Sequence, residues 1–96
     1  MKFQVTINKS ISDVIRTIGY QTTYLQNEDE VSVIRKLGVG DYPRFHLYII
    51  EEKDGFSCNL HLDQKKPSYK GSAGHAGEYD GKLIEEEVER IKSLLA

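Results

Sequence analysis

Residues 44–63 read RFHLYIIEEKDGFSCNLHLD, and this stretch decides the fold. Phe45, Leu47 and Ile49 alternate with more polar neighbours, and beyond Asp54-Gly55 so do Phe56, Cys58, Leu60 and Leu62. A period of two marks a half-buried strand, and Asp-Gly between two such runs marks a hairpin. The predicted strands are 44–51 and 56–63. Their apolar positions form one face, so His46, Tyr48, Ile50, Ser57, Asn59, His61 and Asp63 share the other. A two-residue turn at Asp54-Gly55 pairs His46 with Asp63 and Tyr48 with His61. A four-residue turn pairs His46 with His61 and Tyr48 with Asn59. Both gather the same polar groups. A three-residue turn sets His46 against Leu62 and mixes the faces, so it is discounted.

Working outward, residues 2–8 (KFQVTIN) alternate, with Phe3, Val5 and Ile7 on one side, and predict a strand. Ser10 is placed to cap a helix, with Asp13 at the capping-box distance and Ile11, Val14, Ile15 and Ile18 as its apolar stripe. Gly19 is suited to end it in the left-handed conformation. Residues 20–26 and 31–37 read as strands joined by the polar turn Asn27 to Glu30; their facing stays open, because Val33 and Ile34 are adjacent. Gly38 to Pro43 is a loop. Residues 64–80 make a connection of about seventeen residues against a usual median of roughly 4–6, a length that marks a functional segment, a disordered one or one with structure the sequence hides. A helix follows from Gly81 to Leu95. Leu83, Ile84, Val88, Ile91 and Leu95 are expected inward, and Glu85, Glu86, Glu87 and Glu89 mostly outward.

The order β-α-β-β-β-β-α defines an α+β domain: a five-stranded, mostly antiparallel curved sheet with two helices on one face. This element order resembles TATA-binding-protein-like and helix-grip domains. That resemblance implies sheet order 1-5-4-3-2 and no activity. The segments HLDQKKPSY and HAGEYDG (61–69 and 75–81) resemble parts of small uncharacterised prokaryotic proteins, which again implies no function.

Composition narrows the classes. A chain of 96 residues, 39% hydrophobic and 29% charged, fits a single globular domain over 1–96. The lone Cys58 excludes an intramolecular disulfide and suits a reducing compartment. The first twenty residues carry Lys2, Lys9, Asp13 and Arg16 and no signal-like apolar run. No stretch reaches bilayer-spanning length, so a cytoplasmic location and no membrane association are expected. The net charge of −2 argues against nucleic-acid binding, since even the densest basic stretch has only Lys65, Lys66 and Lys70.

The polar strand face lies at the hairpin end from which the 64–80 connection departs. His46, His61 and Asp63 form the floor of a candidate site there, with Tyr48 and Asn59 beside them and His75, Glu78 and Tyr79 brought over by the loop. His46, His61, Asp63, His75 and Glu78 also offer imidazole and carboxylate ligands for a divalent metal such as zinc, although no recognised ligand spacing is present. A histidine beside a carboxylate suits general-base work, but no activated nucleophile accompanies it, and Cys58 falls on the core face. Binding of a small polar ligand or metal is therefore expected ahead of catalysis. The run Gly77 to Lys82 fails the phosphate-loop pattern: it is one residue short, and Leu83 replaces Ser or Thr. The alternative use of the same face is homodimerisation or a protein partner, with Tyr48, Ile50 and Tyr20 or Tyr24 partly exposed there. The bland reading of these residues is a solvated strand face and turn glycines.

Overall fold

A computed structural model describes residues 1–23, 29–64 and 81–96, with 77–78 as backbone. Its elements run β1 (Lys2–Thr6), α1 (Ile11–Ile18), β2 (Gln21–Thr22), β3 (Val31–Lys36), β4 (Arg44–Glu52), β5 (Gly55–Asp63), β6 (Gly77–Glu78) and α2 (Lys82–Leu95). All strand pairs are antiparallel, in the order β1-β5-β4-β3-β2, as expected. One piece was not anticipated. Within the long connection, β6 pairs with Leu62 and Asp63 along the edge of β5 that β1 occupies further back, from Gly55 to Asn59.

The caps of α1 follow from its sequence. Ser10 is extended and its Oγ accepts from the Asp13 amide at 3.2 Å. Gly19 adopts φ 81°, which a residue with a Cβ takes up only at a cost in energy. Val14 and Ile18 bury their side chains with Ile84, Val88, Ile91 and Leu95 of α2 in one core. The inward residues of β1, β3, β4 and β5 complete it: Phe3, Val5, Val33, Phe45, Leu47, Ile49, Phe56, Cys58, Leu60 and Leu62. Both helices therefore cover one face. Each fully buried Leu or Ile contributes roughly 1.5–3 kcal/mol.

Four expectations change. The hairpin takes the second of the two expected registers, His46 with His61 and Tyr48 with Asn59, but its turn is centred on Lys53 and Asp54, not Asp54-Gly55, because Glu52 pairs with Gly55. Gly55 is instead the first residue of β5, opposite Thr6; a Cβ there would lie 1.9 Å from the Val5 carbonyl oxygen. The glycine thus serves the close approach of β1. Tyr20 is buried in the core and not on the helix-free face. Leu83 is exposed, and Glu87 is buried at 4% exposure. Glu87 lies three residues after Ile84 and four before Ile91, so helical geometry places it on the inward stripe whatever its charge. The facing of β3 also resolves: Val33 joins the core, while Ser32 and Ile34, also buried, share the opposite face. Tyr24, and Asn27 and Glu28 of the expected turn, lie outside the described residues.

Candidate functional site

The register of the central hairpin is His46 opposite His61, Tyr48 opposite Asn59 and Arg44 opposite Asp63. On the other side of β4, Ser32 stands opposite Tyr48 and Ile34 opposite His46. Strand alternation thus assembles His46, Tyr48, Asn59, His61 and Asp63 on the helix-free face, together with Ser32 and Arg44, which the sequence reading did not include.

Three rings stack there. The centroids of His46 and Tyr48 are 4.4 Å apart, those of His46 and His61 5.3 Å, and those of Tyr48 and His61 5.0 Å, with interplanar angles of 6–27°. His46 is the centre. Its Nδ1 is 3.0 Å from Asp63 Oδ2 and its Nε2 is 2.5 Å from Ser32 Oγ. Arg44 Nε reaches the same Asp63 oxygen at 3.4 Å and its guanidinium lies 4.6 Å from the Tyr42 ring centroid. Asn59 Oδ1 accepts from the Met1 ammonium at 3.4 Å.

The electrostatics fix the protons. Burial alone would raise the Asp63 carboxyl. The hydrogen bond and charge of His46, with Arg44 and His61, outweigh it and hold the group below its ordinary value. Asp63 is then ionised at neutral pH and can only accept, so Nδ1 of His46 carries the hydrogen between them. In the neutral imidazole, Nε2 accepts from the Ser32 hydroxyl. His61 is pushed down chiefly by burial, helped by His46 and opposed by Asp63, so it is neutral at pH 7.

Ser32, His46 and Asp63 have the connectivity of an acyl-transfer triad. The surroundings do not support that chemistry. Ser32 is 5% exposed, which bars an acyl group from Oγ. It also sits inside β3, where the ladder occupies backbone amides that an oxyanion would need. The serine and aspartate hold the imidazole in one orientation instead.

Metal ligation is poorly served too. Both His46 nitrogens are engaged, and among the described residues no group of three or more His, Cys, Asp and Glu is placed to hold an ion. His75 and Tyr79 lie outside the described residues. The Glu78 backbone pairs with Leu62, next to His61 and Asp63, but its side chain is not described.

A second polar cluster, unforeseen from sequence, lies in the core. Glu87 accepts from Tyr20 Oη at 2.6 Å, from Arg90 Nε at 2.8 Å and its terminal nitrogen at 2.9 Å, and from Arg35 at 3.4 Å. Arg90 also donates to the Ile18 carbonyl at 2.7 Å. Burial raises the Tyr20 hydroxyl far above its usual value, and the Glu87 carboxylate adds to this. The cluster ties α2 to the end of α1 and is a packing device. The acidic spacing around Ile84 and Ile91 was the signal available for it.

Comparison with protein-family models, curated proteins and solved structures finds no match for this chain. The likeness to TATA-binding-protein domains therefore rests on element order.

Proposed function

We propose that the helix-free face binds a small, polar organic ligand, with His46 as the fixed centre that holds the surrounding side chains in place. One observation carries this reading: both nitrogens of His46 are committed, to Ser32 and to Asp63, in a ring that also stacks on Tyr48 and His61. The hydrophobic core lies on the opposite face, so this ordering is not needed to close it. Ligand sites are built from a few polar groups held in place among aromatic walls. An organic ligand fits better than zinc, because a metal on His46 must break one of its two hydrogen bonds. The dimer reading is less favoured. Ile50 is the one large exposed hydrophobic of β4, and Tyr48 is half-buried, with its ring stacked on His46 and His61.

The test is a native mass spectrum of the full chain, wild type and His46→Ala. A monomer with a stoichiometric organic adduct, lost in a variant that keeps its circular dichroism, is the expected result. A zinc-sized mass increment would replace the organic ligand with a metal. A bare dimer would make the face an assembly surface.

A further inference from the structure

A groove of about 960 Å³ opens between the last turn of α1 and the edge of β3, and none of the ring-stack residues lines it. Gly19 creates it. The chain leaves α1 there and enters β2 only at Gln21, opposite Ile34, so β3 runs on past its neighbour through Arg35 and Lys36. The hydrogen-bond phase shows what this notch contains. Thr23 N donates to Ser32 O at 3.2 Å and Leu37 N to Pro43 O at 3.2 Å. Even-numbered residues of β3 therefore direct their peptide groups toward β2 and odd-numbered ones toward β4. Lys36 is the next even residue, and no residue of β2 stands opposite it. Its N–H points into the groove.

The lining carries three cations, each with one carboxylate partner, among polar and apolar side chains. Arg16, Arg35 and Lys36 line it with Ile15 and Ile34, and no carboxylate does so among the described residues. The acidic partners of these cations, Asp13, Glu87 and Asp41, all stand outside the lining. The negative end of α1 is also muted, because the Ile15 and Arg16 carbonyls already accept from Tyr20 N at 3.1 Å and Gly19 N at 3.2 Å.

We infer that this notch is a second binding site, for a small organic oxyanion: a phosphate or carboxylate on an apolar body. The anion takes the Lys36 N–H and the Arg16 and Lys36 side chains at the open edge of β3, and the body lies against Ile15.

Proton–nitrogen correlation spectra of the full chain, titrated separately with phenyl phosphate, benzoate and phenol, test it. Saturable shifts at the Gly19, Gln21 and Lys36 amides are expected with the two anions and not with phenol; which anion binds more tightly identifies the oxyanion. The double variant Arg16→Ala, Lys36→Ala removes two exposed side chains and leaves the Lys36 amide in place. It should weaken the tighter anion by about tenfold. Equal binding of phenol, an unchanged affinity in the double variant, or shifts confined to other lysines would each overturn the site. Because none of these residues belongs to the His46 cluster, the result is independent of the outcome there.

Discussion

At His61 and Asp63 the protein records its local fields as a pH dependence. Both groups have folded pKa values below their ordinary ones of 6.5 and 3.8. A depressed value means that the unfolded chain binds the proton more readily. The associated stability is present above the unfolded pKa and is lost as pH falls toward the folded one. Urea midpoints should therefore hold steady between pH 6.5 and the ordinary thiol value of 9.0, drop as the solution is acidified below 6.5, and drop again below 3.8. His61→Asn should remove the first fall and Asp63→Asn the second. Unchanged profiles in both variants would contradict the assigned fields. Glu87 gives a larger effect. Its removal leaves the buried Tyr20 hydroxyl and the half-buried Arg90 without their acceptor, and an unsatisfied buried donor of this kind costs about 2 kcal/mol. Glu87→Ala should lower the urea midpoint accordingly, whereas Glu86→Ala, one position round the helix, should leave it nearly unchanged.

At the scale of elements, local rules worked where local physics decides. Ser10 and Gly19 bound α1 because caps are satisfied within a few residues. Alternation in β4 and β5 named five of the site residues because a strand has only two faces. It failed where a distant segment sets the answer. Asp54-Gly55 has the composition of a turn, yet Gly55 answers to Val5, which is remote in sequence. Ser32 was passed over because Val33 and Ile34 are both apolar, and β3 is buried on both sides at that point. Glu87 was assigned outward on its charge, although its position between Ile84 and Ile91 was available. Gly55→Ala tests the first of these. The added methyl meets backbone and not a movable side chain, so a loss of about 3 kcal/mol is expected from overpacking. A thermal melt matching wild type would show that β1 can shift aside.

At the scale of the whole molecule, the two polar clusters divide the work. The Glu87 network joins α1 to α2 on the covered side, and the His46 cluster is ordered on the side without helices. Neither spans the sheet, so changes in one should leave the other intact. The position of β1 has a further consequence, in time. Phe3 pairs with Cys58 and Lys2 with Asn59, whereas β3, β4 and β5 are neighbours in sequence as well as in space. Closing a loop of that length costs entropy before any contact offsets it. As the chain is synthesised, β1 emerges first and has no strand to join until β5 is complete. Phe3 and Val5 wait until Cys58 and Phe56 have been made, and the first strand of this sheet is among the last to find its place.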